Sequence, residues 1–318
     1  MGAYIIRRLI QAFFVLIIVT FLIFIAMRAL PGDPILIFLG EAETESTTEE
    51  QLQQLRKEFG LDKPVMVQYV NWVIGVTRGD FGESISYGDN VLTMIGESLP
   101  VTLHIGSLAF ILSAALGIPA GILCAIRRGG NVDASLTLSA NLGICVPIFW
   151  LGILFIYFFG LKLHWLPIQG YTSPFDDFWL SFRKSIMPVF CLSVFTLAST
   201  TRQTRSSMLE VIRQDYIRTA WSKGLKEREV IARHVLKNGL IPIVTLKGFH
   251  VRLLFGGSVL VETVFNIPGM GRLAVDAIFN QDYPIVQGVA LMTALIVVLA
   301  NLLVDISYGW LDPRIRYQ

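Results

Sequence analysis

The chain has 318 residues, of which 53% are apolar and 16% charged, and its mean hydropathy is +0.61. The length would suit two soluble domains, but the composition is too apolar for soluble domains, so lipid must form part of the environment of the chain. The net charge of +2 excludes nothing by itself, but the distribution of Lys and Arg along the chain is informative.

Six apolar stretches are each long enough to cross a bilayer core of about 30 Å as a helix. The first follows Arg7 and Arg8 and is longer than the apolar core of a signal peptide, so we interpret it as a retained span. The sequence therefore predicts an all-α membrane protein with six transmembrane helices. The predicted spans cover residues 9–29, 99–126, 134–160, 185–204, 240–261 and 284–308.

Basic residues concentrate on one side of these spans. If the N-terminus is cytoplasmic, the inner segments carry fifteen Lys or Arg residues, nine of them between positions 202 and 237. The segment 31–98 would then lie outside, with four basic residues and twelve acidic ones. Because Lys and Arg favour the cytoplasmic side, we expect both termini to be cytoplasmic.

The outer segment contains two predicted short helices. The stretch 46–59 has Thr and Glu residues ahead of an apolar stripe and should end at Gly60. The stretch 65–76 carries Tyr69 and Trp72, whose side chains suit an interface with lipid headgroups or with a protein. A structural cap over the helix bundle is the alternative that the sequence leaves open.

Small residues and cysteines in the spans indicate packing. Gly117 and Gly121 have the spacing that lets two helices approach closely. The short loop 127–133 predicts that the second and third spans are antiparallel neighbours. The cysteines show no metal-binding or redox spacing and are predicted to be buried free thiols: Cys124, Cys145 and Cys191.

The basic segment 209–241 is more regular than a loop needs to be. Apolar residues recur at helical spacing from Asp215 to Gly224, where a helix should stop. A second amphipathic helix is predicted over residues 226–238. A basic loop held at an anionic membrane surface is the simpler alternative, but it does not require this pattern. The stripe of the first helix consists of Tyr216, Ile217, Ala220, Trp221, Gly224 and Leu225.

Residues 215–225, with the sequence DYIRTAWSKGL, resemble the coupling motif of permeases in binding-protein-dependent ATP-binding-cassette (ABC) importers, in the form found in the peptide/nickel family. The long outer segment resembles that of the B-type subunit, the first of two paired permeases. Arg218, Thr219 and Ala220 stand where the general importer motif has Glu-Ala-Ala, a departure usual in the peptide branch. The resemblance covers nearly the whole chain, through PGDP (31–34), GLDKP (60–64), GDFG (79–82), PIFW (147–150), TRSSMLE (204–210), ETVF (262–265), PGMGR (268–272), DYPIVQ (282–287), NLLVD (301–305) and DPRIR (312–316).

The resemblance implies a type I ABC importer permease fold. Its parts would be an N-terminal helix in residues 1–30, an extracytoplasmic segment in 31–98, and a permease core in 99–318 that contains the coupling segment 209–241. It also implies contact with an ATPase through Asp215, Tyr216, Arg218, Thr219, Ala220, Lys223, Gly224 and Leu225. As candidates for docking a binding protein we take Tyr69, Trp72, Pro268 and Gly269.

The implied partners are a second permease, two ATP-binding subunits and an extracytoplasmic solute-binding protein, in the cytoplasmic membrane of a bacterium or archaeon. The chain contains no G-x-x-x-x-G-K-[ST] pattern and no Gly-Lys pair, so it lacks the loop that cradles nucleotide phosphates. We therefore expect no cofactor or metal on this chain, with ATP and magnesium on the partner subunits, and no nucleic acid partner.

Three basic residues fall in the predicted fifth span, where ionisable groups are costly and point to a pathway. At 100° per residue, Lys247 and His250 lie about 60° apart, whereas Arg252 is about 140° from Lys247. We hypothesise that Lys247 and His250 face the pathway and favour substrates with a carboxylate. Snorkelling or structural pairing is the alternative. His104, alone in the second span, is interpreted as a packed, hydrogen-bonded residue.

The predicted function is that of a non-enzymatic permease subunit for di- or oligopeptides. Importers of the same type that carry nickel or a metal chelate, glutathione or another small solute remain open alternatives. A secondary transporter would typically show internal repeats, which the sequence lacks. An intramembrane protease would need a nucleophile with its base, and no such pattern is present.

Overall fold

The computed structural model describes residues 2–29, 35, 39, 48–58 and 60–311, with side chains other than those of 2–5, 58, 253–255 and 303–311. The motifs at 31–34 and 312–316, and the predicted helix ends at Ser46 and Phe59, lie outside the described residues. Within the described ranges the chain is helical and contains no named strand. This confirms the predicted fold class.

The helices of the described ranges follow one another along the chain with short connections. They are α1 (Gly2–Ala29), α2 (Glu49–Glu58), α3 (Val65–Thr77), α4 (Val91–Ile126), α5 (Asn131–Cys145), α6 (Ile148–Phe155, continued by a π-helix, Ile156–Lys162), α7 (Phe178–Ile212), α8 (Asp215–Ser222), α9 (Glu227–Val230, continued by a π-helix, Ile231–Val235), α10 (Leu236–Gly239), α11 (Ile241–Val264), α12 (Met270–Phe279) and α13 (Tyr283–Leu311).

Four helices in the described part of the chain are long and apolar enough to cross a membrane: α1, α4, α7 and α13. The number rises to six if each of two bent pairs is one span. One pair is α5 with the α6 segment. The other consists of the two parts of α11, Ile241–Arg252 and Gly256–Val264, which meet at 53°. The six predicted spans thus correspond to the upper end of this range.

The prediction of a single helix over residues 134–160 is wrong, and the stretch counts as one span only if its two bent parts cross the membrane together. The two helices in this stretch, α5 and the α6 segment, meet at 102°. Val146 has an extended backbone with ψ of 123°, as is usual for a residue that precedes proline, and Pro147 has no N–H to continue a helical ladder. Apolar composition continued across this break and concealed it.

Local chemistry explains the ends of α2. The backbone N–H and the hydroxyl of Thr48 both donate to Oε1 of Gln51, at 3.0 and 3.1 Å, which fixes the first turn. Gly60 follows the helix with φ of +65°, a conformation that glycine adopts without strain. The predicted stop at Gly60 is therefore confirmed.

The described chain forms two compact units. The first comprises Met1–Val101 and Pro268–Val298, and the second comprises Thr102–Ile267 and Leu299–Gln318. The domain boundaries that the sequence suggested at residues 30 and 98 stay a prediction.

In the first unit, a buried carboxylate fastens the loop before α4 to the start of α13. Asp282 accepts hydrogen bonds from the Ser84 hydroxyl at 2.6 Å and the Ser86 N–H at 2.9 Å. It also accepts from the N–H of Ile285 at 3.3 Å, in the first turn of α13. Around this network packs an apolar core that includes Met27, Phe81, Val91, Ile95, Met270 and Tyr283.

In the second unit, α4 and α7 approach each other closely at the two glycines predicted to permit it. A methyl group added to Gly117 would lie 2.9 Å from Thr200 Cβ, and one added to Gly121 would lie 2.5 Å from Thr204 Cβ. The predicted packing role of the glycine pair is thus confirmed. Of the three cysteines, Cys124 and Cys191 are buried as predicted, whereas Cys145, the last residue of α5, is exposed.

Candidate coupling surface and buried polar residues

The segment between α7 and α11 folds into short helices, as predicted. The first, α8, begins at Asp215, after two connecting residues that follow α7. Gly224 comes after this helix with φ of +78° and donates its N–H to the carbonyl of Trp221 at 2.9 Å. The second predicted helix is present but broken into α9, a π-helix and α10, which together cover residues 227–239.

An apolar cluster holds these helices against the ends of α4 and α7. Val230 and Val235 are fully buried in it, as the predicted apolar face of the second helix requires. From α8, Ile217 and Ala220 enter the same cluster. The helices are therefore attached through side chains to the ends of two long helices. The buried members of the cluster are Ala125, Met208, Ile217, Ala220, Val230 and Val235.

The predicted stripe of α8 does not all face inward. Tyr216, Trp221 and Leu225 are between 38% and 45% exposed, although they belong to the same sequence pattern as Ile217 and Ala220. Of the stripe residues within α8, only Ile217 and Ala220 are buried against the cluster. The structure thus leaves an exposed apolar strip, which consists of Tyr216 and Trp221 on α8 and Leu225 just after it. We call these three residues the outer strip of α8.

Polar residues of the predicted coupling motif surround the outer strip. Arg218 lies 3.5 Å from Asp215, and both side chains are highly exposed, so this ion pair adds little to stability. Thr219 and Lys223 are also exposed. Tyr216 accepts a hydrogen bond from Asn238 at 3.0 Å, which links α8 to α10.

A second anchor of this region was missed from the sequence. At the start of α5, Asp133 accepts bonds from Nε and Nη2 of Arg205 at 2.6 and 2.8 Å, and from the N–H of Gly129 at 3.0 Å. The Asp133 side chain is 6% exposed and that of Arg205 is 30% exposed. Such a two-point pair fixes α5 to α7 in one geometry. The sequence signal was an acidic residue at the end of the predicted loop 127–133, directly before a predicted span.

The three basic residues of α11 occupy different surroundings. Lys247 and His250 are only 8% and 1% exposed, whereas Arg252 is exposed with its guanidinium 5.1 Å from the Phe249 ring centre. Lys247 donates to the Ser113 hydroxyl at 2.7 Å. Neither ring nitrogen of His250 has a hydrogen-bond partner in the described chain. The roles proposed for these residues stay predictions.

Glu262 is a further buried ionisable residue of α11, at 1% exposure. It accepts a hydrogen bond from the Thr102 hydroxyl at 2.8 Å. The predicted fifth span ended one residue earlier, so this carboxylate was not among the candidate pathway residues.

His104 has the structural role that was predicted for it. Its Nδ1 lies 3.0 Å from the Tyr171 hydroxyl, and the two rings meet edge to face at 5.7 Å. Burial, together with the nearby Asp176 carboxylate, raises the pKa of Tyr171. A raised pKa favours the protonated phenol in this contact.

Two of the residues suggested for docking a binding protein are engaged within the chain. Tyr69 packs edge to face on Phe24 at 5.4 Å, and Trp72 packs on the same ring at 6.2 Å. Pro268 is exposed, and Gly269 is buried where α12 begins. Docking by these four residues stays a prediction.

No group of three His, Cys, Asp or Glu residues in the described chain is arranged to hold a metal ion.

This helical chain, with several membrane-crossing helices and a short helical segment anchored between two of them, has the architecture of a multi-pass transport protein. Residues 117–317 match the family described as binding-protein-dependent transport system inner membrane component, and residues 1–106 match the family of its N-terminal region. The chain belongs to this family of ABC permease subunits. It is accordingly a transport subunit rather than an enzyme, and family membership implies ATPase and binding-protein partners.

Three relatives illustrate the match. The probable peptide ABC transporter permease protein of Sinorhizobium fredii is 44% identical, with 100% of both chains covered. The oligopeptide transport system permease protein AppB of Bacillus subtilis is 38% identical, again over 100% of both chains. The dipeptide transport system permease protein DppB of Escherichia coli is 38% identical over 99% of each.

Among solved structures, the chain resembles one from the inward-facing MetNI methionine ABC transporter, with a TM-score of 0.56 and 16% identity. The match covers 70% of this chain and 97% of that one. At this identity the likeness concerns the fold alone, which is that of a type I importer permease.

Proposed function

We propose that this chain pairs with a second permease to form the pathway by which an ATP-driven importer takes up di- or oligopeptides delivered by a solute-binding protein. Two ATP-binding subunits would supply the energy, and the outer strip of α8 with Gly224 would be the contact to one of them. On this proposal both termini of the chain lie in the cytoplasm of a bacterium or archaeon.

The observation that carries the coupling role is the division of α8 into two faces. Ile217 and Ala220 anchor the helix to the cluster below it, and the outer strip remains exposed. An aromatic and aliphatic strip bordered by Arg218 and Lys223 has the composition of an interface centre with a polar rim. A partner that moves the strip would move the ends of α4 and α7 with it.

A matched pair of tryptophan variants tests this contact. Trp221→Ala removes the ring from the outer strip, where it is 39% exposed, and Trp179→Ala removes a 66% exposed ring near the start of α7. We expect Trp221→Ala to reduce co-purification of the ATPase and transport-coupled ATP hydrolysis at least tenfold, since a buried aromatic anchor contributes about 2 kcal/mol or more. Trp179→Ala should leave ATPase co-purification unchanged.

Equal loss of the ATPase in both variants, or in neither, would contradict the assignment of the outer strip. Gly224→Pro is a second test. Proline cannot adopt φ of +78° and has no N–H for the Trp221 carbonyl, so we expect transport to be lost while the chain still inserts into the membrane.

The peptide substrate is inferred from the relatives, three of which are named as peptide, oligopeptide or dipeptide permeases. The buried positive charge of Lys247 in α11 is compatible with a peptide substrate. A free peptide ends in a carboxylate, and Lys247 is a buried cation whose described hydrogen bond is to a neutral hydroxyl. Phe110, whose ring centre is 5.1 Å from Lys247 Nζ, lines a cavity of about 330 Å³, although Lys247 is not one of its lining residues.

Uptake by reconstituted vesicles tests both the pathway role of Lys247 and His250 and the assignment of peptides as the substrate. With Lys247→Gln and His250→Gln combined, we expect uptake of a dipeptide to fall while its binding to the solute-binding protein is unchanged. The dipeptide amide, which lacks the carboxylate, should lose less. Identical uptake of both compounds before and after the substitutions would contradict a pathway role. Uptake of a nickel chelate or glutathione in preference to peptides would contradict the substrate assignment while leaving the coupling role intact.

A further inference from the structure

The short helix α3 has an unusual composition for a segment between spans. Its thirteen residues include no charged side chain, although Lys63 lies just before it and Arg78 follows it directly. At 1.5 Å per residue it is about 20 Å long, too short to cross a core of about 30 Å. Apolar helices of this length are typical of buried or interfacial segments.

Contacts with α1 fix the level of α3 along that span. The Tyr69 hydroxyl lies 3.1 Å from Thr20 Oγ1 and 3.3 Å from the carbonyl of Ile17. Towards the other end of α1, the guanidinium of Arg28 donates to Gln68 Oε1 at 2.6 and 3.1 Å. Gln68 and Tyr69 are adjacent, so their backbone lies between these two levels.

The aromatic contacts give the same position. Tyr69 and Trp72 both pack on Phe24, which is buried. Phe24 lies five residues before the end of α1 at Ala29, which corresponds to about 8 Å along the helix axis. Because α1 is apolar and long enough to cross a membrane, a helix packed beside Phe24 would lie at the depth of one leaflet.

The face of α3 that points away from α1 is aliphatic and uncovered. Met66, Val67, Val70 and Ile74 fall on an arc of about 100° and are between 44% and 58% exposed. Patches of this kind are costly in water. The neighbouring part of α1 also exposes aliphatic side chains, Ile18 among them, so the two helices present apolar surfaces at the same depth.

We propose that α3 is a membrane-embedded helix of one leaflet, and that Met66, Val67, Val70 and Ile74 contact lipid acyl chains. This inference is independent of the substrate and of the coupling role. On this proposal the segment between α1 and α4 is not wholly extracytoplasmic, because α3 lies in the bilayer.

Site-specific fluorescence in the full-length chain tests the proposal. The exposed Cys145 is first replaced by serine, and a bimane label is then attached to Val70→Cys or to Asp89→Cys, an exposed position in the loop before α4. The labelled protein is placed in lipid nanodiscs. We expect phospholipids with a nitroxide on the acyl chain to quench the label at position 70 at least twice as strongly as at position 89. Iodide in the buffer should quench in the reverse order.

Strong iodide quenching at position 70 would place α3 in water and overturn the proposal. Weak quenching by both reagents would show that another protein covers this face, which would overturn it equally. Ile74→Cys, one turn further along the same face, serves as a second labelled position if Val70→Cys does not fold.

Discussion

The close approach of α4 and α7 makes a graded prediction, because three glycines of α4 differ in the space beside them. A methyl group at Gly121 would lie 2.5 Å from Thr204 Cβ, one at Gly117 would lie 2.9 Å from Thr200 Cβ, and one at Gly96 would meet nothing within 4 Å. Substitution of each by alanine is therefore the same chemical change at three different clearances.

The expected magnitudes follow from these distances. Carbon atoms normally pack about 3.5–4.0 Å apart, so Gly121→Ala requires the helices to separate by about 1 Å. Overpacking of this kind costs about 1–3 kcal/mol, whereas alanine gains about 0.5–1 kcal/mol over glycine within a helix. We therefore expect Gly96→Ala to stabilise, Gly117→Ala to be near neutral or mildly destabilising, and Gly121→Ala to destabilise by about 1–2 kcal/mol.

The chain carries its own reporters for this measurement. Cys124 and Cys191 are buried and become reactive on unfolding, and the exposed Cys145 is removed as Cys145→Ser to lower the background. A thiol-reactive fluorophore then follows thermal unfolding of each purified variant in one detergent. A Gly121→Ala midpoint equal to or above that of Gly96→Ala would refute the reasoning.

Three further predictions concern buried polar groups. Asp133→Asn and Arg205→Gln should each lower the thermal midpoint, at a cost of about 1–3 kcal/mol because each leaves one charge of a partly buried pair without its partner, and the double variant should lose less than the sum; additive losses would contradict the pairing. Asp282→Asn keeps the side-chain volume but replaces a carboxylate oxygen, an acceptor, by an NH2 donor. We therefore expect a loss of about 1–3 kcal/mol in stability and faster proteolysis of the loop before α4, which Asp282 holds through Ser84 and Ser86. An unchanged rate of proteolysis would contradict this anchoring role. Lys247→Met removes a buried charge held by Ser113, so we expect a higher thermal midpoint together with lower peptide uptake; a lower midpoint would show that the lysine is structural.

The sequence predicts those features of the chain whose causes are local. Gly60 and Gly224 end their helices because only glycine adopts their positive φ angles without strain, and that preference is visible in the residue itself. The spacing of Gly117 and Gly121 likewise indicates close packing without naming the partner. Apolar length is sufficient to find α1, α4, α7 and α13.

Other features depend on contacts between segments that are far apart in the sequence. A pattern within one segment does not predict which other segment it will contact. The pairing of Asp133 with Arg205 joins residues 72 positions apart. Ile217 and Trp221 belong to the same apolar stripe, yet only Ile217 is buried, because packing against α4 and α7 and not the pattern decides which side chains are covered. At Pro147 the proline was visible, but the mixture of apolar and small polar residues before it and the apolar residues after it gave no signal for the 102° change of direction.

The charge of Arg205 has one consequence during membrane insertion and another in the folded chain. During biosynthesis, before α5 and α7 have met, it is an unpaired cation near the end of a nascent span, where on the proposed orientation it favours retention in the cytoplasm. After folding, the same charge is bound by Asp133 at two points. On the same orientation, fourteen other Lys and Arg residues lie on the cytoplasmic side and also favour it. Loss of the Arg205 charge alone should therefore leave insertion and orientation unchanged and lower the stability of the folded chain.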